Sequence, residues 1–369
     1  MPEQLNEQQR ALATSAGEFA VRELLPRRGE PAATARPAIV AAARAAGLFA
    51  MTQPREFGGT AACTLDLTIV RDELAARNPP FLDAVFGPGP GVLASVGEPL
   101  RSSHLQPLLA GARRAGFGFT EPDDAPAPTR ARVEGDWLVI DGQKSYVTGG
   151  AEADFINTLV QFDGQGPALV VIDTNLPGVE LSRRFSSIDG SHHAAFRFTG
   201  VRVPSSHVIG KPGEGLPRAL RQIGDTRLLI AAQCVGLMRW VLDYVTAHLK
   251  APDRSGRPRG DKEGIRLRYA DLRIHAFAAR SMLYRTARLA DAGENIVNEA
   301  IACKVYATEQ VGHVVDTAIQ LVGGNALTDD HPLSILYRQV RSLRLAEGGS
   351  DVLRLNLAKG KLDLDKGRL

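Results

Sequence analysis

Hydrophobic residues recur at helical spacing in the first third of the chain. Between Asn6 and Leu25 they fall near the spacing of one helix face, which predicts an amphipathic helix. The alanine-rich segment Pro37 to Ala46 predicts a second helix with the proline in its first turn. Leu65 to Ala76 and Gly91 to Leu109 continue the helical pattern. We therefore predict an N-terminal helical domain over residues 1–115.

The pattern changes near Gly116, where short β-rich runs begin to alternate with turns. The pairs Asp163-Gly164 and Asp189-Gly190 mark two of these turns. We predict a middle β-domain over residues 116–212 that forms a small antiparallel sheet or barrel. The pair His192-His193 follows the second turn, and we expect it to lie exposed in a turn between strands rather than to take part in catalysis.

Beyond Gly215 the helical pattern returns and continues to the end of the chain. Its long amphipathic stretches are Leu216 to Lys250, Ile265 to Asp291, Asn295 to Leu321 and Pro332 to Leu345. Their lengths predict a bundle of four or more antiparallel helices over residues 213–369. The predicted fold class is α+β, mainly α, in the order helical domain, β-domain, helical bundle.

Composition and charge narrow the class of protein. A chain of 369 residues is too long for one core, because single cores stop growing at about 250–300 residues. The formal net charge is +3, from 44 basic and 41 acidic side chains, which is too even for a nucleic-acid-binding surface. The polar N-terminus and the lack of a long apolar run predict no signal peptide and no membrane span, so we expect a cytoplasmic protein.

The cysteines Cys63, Cys234 and Cys303 are far apart in the sequence. They form no CxxC pair, and no histidine stands at ligand spacing from them. We therefore expect no metal site. All three are expected to be buried as small hydrophobic residues of a protein from a reducing compartment.

Four short motifs contain the polar residues and glycines that suggest chemistry. In chain order they are Phe117–Pro122, Asp141–Gly150, Gln320–Asn325 and Ala346–Asp351. Each by itself has an ordinary structural explanation, such as a strand end, a turn or a helix stop. In this order, and on this succession of helices, sheet and bundle, they resemble the acyl-CoA dehydrogenase family over nearly the whole chain.

The resemblance implies an FAD-dependent dehydrogenase that oxidises an acyl thioester. It makes Glu347 the base that removes the substrate α-proton, while the β-hydrogen leaves as hydride to flavin N5. Such a base must be desolvated and aimed, and a carboxylate in an apolar pocket has a raised pKa. Gly348 lets the backbone approach the thioester closely. Arg227 lies in a helix that also matches the family, and we expect it and Gly348 to bind substrate.

The resemblance also implies a set of flavin contacts. From the β-domain, residues near the flavin ring are expected to be Phe117, Phe119, Thr120, Tyr146, Val147 and Thr148. Among them Thr120 would bond the pyrimidine edge, Tyr146 would stack beside the ring, and Thr148 would lie near N5. From the C-terminal bundle, Arg254, Gln320, Gly323, Gly324 and Asp351 are expected to contact FAD, with Gln320 and Gly324 reaching the FAD of a neighbouring subunit. A homodimer or homotetramer is therefore expected.

The sequence departs from the family at several of these motifs. After Pro122 the run Asp123–Pro128 replaces a longer Gly-Ser-Asp loop, Ser255 replaces a phenylalanine, and Gly349 replaces a threonine. These departures point to a specialised thioester. The chain resembles acyl-carrier-protein dehydrogenases that make hydroxymalonyl or methoxymalonyl extender units for polyketides, so the preferred substrate would be carried on an acidic carrier protein rather than on CoA.

Three other interpretations compete with this one. Flavin monooxygenases and oxidases of the same fold lack the Glu-Gly base, which argues against them. A DNA-associated member of the fold would need a strongly basic surface. A flavin-depleted, non-catalytic binding or scaffold protein stays open because of the altered FAD motifs, and the flavin spectrum of the purified protein would separate it from an enzyme.

Overall fold

The computed structural model describes residues 3–365 of the chain. Its helices are α1 (Glu7–Phe19), α2 (Ala32–Ala45), α3 (Thr64–Ala75), α4 (Gln106–Ala110), α5 (Gly215–Lys250), α6 (Glu263–Asp291), α7 (Val297–Val322), α8 (Pro332–Leu343) and α9 (Ser350–Leu362). Its strands are β1 (Ala115–Gly118), β2 (Arg130–Glu134), β3 (Trp137–Thr148), β4 (Phe155–Phe162), β5 (Gly166–Asp173), β6 (Val179–Ser186), β7 (His192–Pro204) and β8 (Val208–Ile209). The predicted order of helices, sheet and helices is confirmed. The ends of the predicted first and last domains, residues 1–2 and 366–369, lie outside the described part.

Contacts divide the chain into two compact units. Unit 1 comprises Met1–Met51, Ala62–Phe86 and Gly224–Leu369, and unit 2 comprises Thr52–Ala61 and Gly87–Ile223. A division by contacts is not a division along the sequence, because the N-terminal helices and the C-terminal bundle fall in the same unit. The boundaries of the three predicted domains therefore stay a prediction.

Two predictions about the N-terminal helices were wrong in detail. Helix α2 begins at Ala32, directly after Pro31, so Pro37 lies inside the helix and not in its first turn. The alanines that precede Pro37 are strong helix formers, which extends the helix toward the N-terminus. The stretch from Gly91 to Leu109 is no single helix but a 3-10 turn, a π turn and the short α4. Its prolines lack the N–H donor that a continuous helix needs, and its glycines disfavour a helix because of their backbone freedom.

Unit 1 has a core between the long helices α5, α6, α7 and α8. The buried apolar side chains recur along one face of each helix, as the sequence periodicity requires. They include Val241, Val245, Leu272, Leu283, Val311, Val315 and Leu336. Helix α9 was not predicted; it follows the turn that contains the fourth motif, and Leu353 anchors it against α7.

A buried carboxylate ties three helices of unit 1 together. Asp72 of α3 has no exposed surface, and it accepts hydrogen bonds from Arg239 Nη1 (2.8 Å), Arg280 Nε (3.1 Å) and Tyr284 Oη (2.9 Å). Charge-assisted hydrogen bonds of this kind offset the cost of burying the ion. The helices also approach closely, since a Cβ on Gly236 would lie 2.3 Å from the Asp72 carbonyl oxygen.

Helix α5 is apolar enough to be examined as a membrane span. An 18-residue window in it has a mean hydropathy of 1.5, and 56% of that window is buried inside the structure. A central helix of a bundle has this character too, since it is apolar on most faces. One such helix is weak evidence for a membrane, and it is the bundle core that buries it here.

Unit 2 is built on a sheet of strand order β6-β7-β3-β2-β4-β5-β8, with β1 paired in parallel to β4. The long antiparallel pair β3–β7 carries one core, which contains Leu138, Ile140, Phe196 and Phe198. Strands β4 and β5 are buried on both faces, because Phe155, Leu169 and Val171 pack into a second cluster on the other side. Burial on both faces explains their nearly continuous apolar sequences.

Two further predictions need correction. His192 and His193 do not lie in a turn; they are the first residues of β7, directly after the Asp189-Gly190 turn. Pairing with β3 reaches His193 and pairing with β6 reaches His192, which extends the strand. Cys63 is exposed, because it caps the N-terminus of α3 and its Sγ accepts from the Asp66 N–H (3.4 Å). Cys234 and Cys303 are buried as expected.

Candidate active site

The fourth motif forms a strained turn between α8 and α9. Glu347 has a φ of +55° and Gly348 a φ of +106°. The left-handed region costs a residue with a side chain about 1–3 kcal/mol, so the surrounding structure must hold Glu347 there. Glycine is the residue that adopts the conformation at 348 without strain. The turn then ends at Gly349, the N-cap of α9.

Lys304 of α7 binds the backbone of this turn. Its side chain is fully buried, and Nζ donates to the carbonyl oxygens of Gly348 (2.8 Å) and Arg344 (3.1 Å). The Arg344 carbonyl also accepts the Ser350 N–H (3.2 Å), so the start and the end of the turn converge on one oxygen. The ammonium therefore fixes the backbone on both sides of Glu347.

Arg227 of α5 holds the residue between these two contacts. It is 8% exposed, and its Nε donates to the backbone carbonyl of Glu347 at 3.2 Å. Two buried cations thus bind the backbone of the turn, and within residues 3–365 no side chain forms an ion pair or hydrogen bond with the Glu347 carboxylate. The predicted residues Arg227, Glu347 and Gly348 are brought together at this turn.

The electrostatics of the turn suit a base. Burial raises the pKa of Glu347 above its ordinary value of 4.5, while the positive charges of Arg227 and Lys304 limit the rise. Burial lowers the pKa of Lys304 to about 8, and the positive charge of the nearby Arg227 contributes to this lowering. The Glu347 carboxylate therefore binds a proton more readily than an exposed glutamate does.

The first motif ends β1 beside β3. The rings of Phe117 and Phe119 are stacked, with centroids 6.1 Å apart and 13° between their planes. The Thr120 carbonyl accepts the Ser145 N–H at 2.8 Å, and the Thr120 side chain is exposed. This bond fixes Thr120 next to the strand that carries Tyr146.

Glu121 of the same motif has a structural role. Its Oε1 accepts from the Thr129 N–H (2.6 Å) and from Lys144 Nζ (2.9 Å), and Lys144 is buried. Burial acts to raise the pKa of Glu121, but these two donors outweigh it and lower the pKa. The pair ties the loop after Pro122 to β3. The Glu121 carboxylate is therefore engaged in structural hydrogen bonds.

A β-bulge in β3 explains the exposure of Tyr146. The register with β7 shifts between Lys144 and Val147, and Tyr146 has a φ of +52°. Bulges re-aim side chains in this way. Tyr146 is 61% exposed and Thr148 is exposed on the same face, whereas the Val147 side chain is fully buried in the core. A contact of Val147 with a ligand can therefore come from its backbone only.

Tyr146 belongs to an exposed aromatic group on unit 2. Its ring meets Phe185 edge-on at 5.2 Å and His193 at 6.0 Å. Arg183 stacks on the Phe185 ring at 5.0 Å. The Thr148 hydroxyl lies 3.2 Å from His193 Nδ1. The face thus combines an exposed aromatic surface with hydroxyl groups.

The third motif ends α7 in unit 1. Gly323 has a φ of +92°, Gly324 has no atom within 4 Å of a hypothetical Cβ, and Gln320 is exposed. Arg259 Nη1 lies 3.3 Å from the carbonyl oxygens of Leu321 and Val322 and caps this helix end. The motif therefore presents open backbone and a free amide side chain.

Two of the predicted cofactor residues lie at the surface of unit 1. Arg254 is exposed in the hairpin-like connection between α5 and α6, where Pro252 and Pro258 pair. Asp351 is exposed in the first turn of α9 and pairs with Arg354 at 3.7 Å. Neither takes part in the Glu347 turn.

Sequence reasoning missed Lys304, Arg259 and His193. Lys304 gives the one usable signal, because a lysine within an apolar helix face is seldom buried unless it is paired. Arg259 lies in a segment that the sequence marks only as a surface connection. His193 was assigned to a turn, so its alignment with β3 could not be foreseen.

Comparisons with known proteins agree over most of the chain. Residues 6–110 match the acyl-CoA dehydrogenase N-terminal domain, and residues 213–362 match the acyl-CoA dehydrogenase C-terminal domain. A 3-(aryl)acrylate reductase from Clostridium sporogenes is 26% identical, with 96% of this chain and 99% of that protein covered.

Solved structures agree as well. A probable acyl-CoA dehydrogenase from Mycobacterium abscessus superposes with a TM-score of 0.86 at 29% identity, covering 96% of this chain and 98% of that one. A glutaryl-CoA dehydrogenase from Mycobacterium smegmatis in complex with FADH2 superposes with a TM-score of 0.85 at 20% identity, covering 97% and 95%. With both domain matches, these likenesses show that the chain belongs to the acyl-CoA dehydrogenase family.

Proposed function

We propose that the protein is an FAD-dependent dehydrogenase of acyl thioesters in which Glu347 is the base. One observation carries the proposal: a partly buried glutamate is held in a strained turn by two buried cations that bind the backbone and not the carboxylate. A structural ion pair would neutralise the carboxylate. This arrangement leaves it available to accept a proton.

The residues of unit 2 fit a flavin. A flavin ring has an apolar body and a polar edge, and the exposed Tyr146 offers an aromatic surface beside the hydroxyls of Thr148 and Thr120. FAD, when bound, supplies the acceptor for the hydride. Phe117, Phe119 and the Val147 backbone would border it, and Arg254, Gln320, Gly323, Gly324 and Asp351 are proposed for its remaining contacts, in part from a neighbouring subunit.

The chain's own residues then divide the work. Glu347 takes the α-proton, and Gly348 permits close approach of the thioester. Arg227 and Lys304 keep the turn in place, and their positive charges limit the rise in the pKa of Glu347. Because some relatives are named reductases, oxidation and the reverse reduction both belong in the assay.

We further propose an acyl carrier protein as the preferred carrier of the substrate, in polyketide extender-unit synthesis. The altered loop Asp123–Pro128 supports it, because it lies where a CoA-using member is most constrained. Exposed basic residues such as Arg341 and Lys359 lie on α8 and α9, the two helices that flank the Glu347 turn in the chain. We also propose that the enzyme is cytoplasmic and that it passes its electrons to a separate acceptor.

Replacing Glu347 by glutamine should remove the base and keep the fold. We expect the rate of oxidation of the acyl thioester, measured by mass spectrometry as the loss of two hydrogens, to fall at least about a hundredfold. General bases contribute about 10²–10⁴-fold to the rate. The visible spectrum of bound flavin should be unchanged. Glu180→Gln, an exposed carboxylate on β6, is the control and should stay fully active. Full activity of Glu347→Gln removes Glu347 from the mechanism.

The pH dependence of kcat/KM should report the same carboxylate. The base works when deprotonated, so activity falls as pH drops through the raised pKa of Glu347. Lys304→Met removes a charge that lowers this pKa, so the acid limb should move to higher pH. The exposed Lys250 does not act on Glu347, and Lys250→Met should leave the profile unchanged. An acid limb at the same pH in Lys304→Met and wild type contradicts the assignment.

The rate of oxidation should depend on whether the acyl group is carried on CoA or on a carrier protein. With one acyl group presented on CoA and on a carrier protein, we expect a higher kcat/KM on the carrier, and an advantage that shrinks with added salt. Arg341→Glu should lower turnover of the carrier-bound substrate and spare the CoA substrate. Equal rates on both carriers refute this preference but leave the dehydrogenase itself intact.

The oligomer should depend on an exposed apolar stripe on α6. Leu267, Ile274 and Phe277 are 63%, 60% and 71% exposed and share one helix face. We propose a homodimer or homotetramer that buries them. Sedimentation should show Phe277→Glu to be a smaller species than wild type, with Val133→Glu, an exposed apolar residue on β2, as the unaffected control. A monomeric wild type is the opposing result.

A further inference from the structure

A chain of hydrogen bonds leads from Thr148 into the β6–β7 turn. The Thr148 Oγ1 lies 3.2 Å from His193 Nδ1, and His193 Nε2 lies 2.9 Å from Ser191 Oγ. Ser191 Oγ in turn donates to Asp189 Oδ1 at 2.7 Å. Thr148 and His193 are directly opposite each other in the β3–β7 register, so the backbone sets the first link.

The carboxylate at the end of this chain fixes the direction of every hydrogen. An ionised Asp189 accepts only, so the single hydroxyl hydrogen of Ser191 points to it. Ser191 Oγ must then accept from His193, which places a hydrogen on Nε2. The Nδ1 of a neutral His193 is therefore an acceptor, and the Thr148 hydroxyl donates its hydrogen to it.

The histidine ring is also held by packing. It lies beside the Phe185 ring at 5.5 Å and the Tyr146 ring at 6.0 Å, and it is partly buried. The adjacent His192 is exposed and bonds Ser186 Oγ (2.9 Å) through its Nδ1. Neighbouring strand residues alternate between faces, so His192 takes no part in the chain to Thr148.

We propose that His193 is a positioning residue that turns the Thr148 hydroxyl so that it presents a lone pair, and not its hydrogen, to the flavin. The proposal rests on the proposed function, in which Thr148 lies at the flavin ring. A lone pair is complementary to an N–H, which flavin N5 carries when reduced and lacks when oxidised. The chain Asp189–Ser191–His193–Thr148 would therefore favour the reduced cofactor.

Burial is the main reason why the His193 ring is neutral at pH 8. Burial lowers its pKa below 6.5, Asp189 acts to raise the pKa, and His192 lowers it. The aromatic group around the ring also contains Tyr146 on β3, and Arg183 stacks on Phe185 of β6. At pH 8 the ring therefore carries one hydrogen, and the direction of the chain is set.

Two replacements of His193 separate its acceptor from its shape. His193→Phe keeps an aromatic ring between Tyr146 and Phe185 but removes Nδ1, whereas His193→Asn keeps an acceptor oxygen near that place. At pH 8 and at a fixed potential, we expect the ratio of reduced to oxidised bound FAD to fall up to about tenfold in His193→Phe, which equals about 30 mV for a two-electron couple. His193→Asn should recover most of the wild-type ratio, and His192→Asn should match wild type.

A double variant and a nuclear magnetic resonance measurement complete the test. If His193 acts through Thr148, then Thr148→Val with His193→Phe should shift the ratio no more than Thr148→Val does. Histidine ¹⁵N shifts of the protein, with or without flavin, should show the Nε2–H form at His193. A ratio in His193→Phe equal to wild type, or an Nδ1–H form, overturns the proposal. If the protein binds no FAD, the proposed function is wrong. The ¹⁵N shifts still test the hydrogen-bond chain in that case.

Discussion

The structure around the candidate base depends on one constraint: a partly buried glutamate must be held in a left-handed turn while its carboxylate stays out of any hydrogen bond or ion pair with the described residues. Lys304 and Arg227 meet this constraint by donating to the carbonyl oxygens of the turn. Their charges limit the rise in the pKa of Glu347 that burial causes. The same contacts that hold the strained backbone therefore set the proton affinity of the side chain.

The helices of unit 1 serve this arrangement. Arg227 comes from α5 and Lys304 from α7, while the turn itself joins α8 to α9, so four helices must pack in register to assemble it. The Asp72 cluster ties α5 and α6 to α3 by charge-assisted bonds. In unit 2 the β-bulge in β3 positions a side chain, since it turns Tyr146 outward beside Thr148. Each of these arrangements is built within a single unit.

The sequence predicted what periodicity controls and missed what tertiary contacts control. The long helices α5 to α8 lie within a few residues of the predicted stretches, because an apolar face three turns or longer is unambiguous. The bulge at Tyr146 has no local signature, since it depends on the register with β7. Lys304 could be suspected from its apolar surroundings, but its partners Arg344 and Gly348 are 40 and 44 residues away in the chain.

The central claim is that Glu347 removes the α-proton, and hydrogen exchange tests it most directly. The thioester that the protein oxidises would be incubated with it in deuterium oxide, without an electron acceptor, and the α-position followed by nuclear magnetic resonance. The account predicts deuterium incorporation with wild type and only the buffer background with Glu347→Gln. Equal incorporation with both proteins would contradict it.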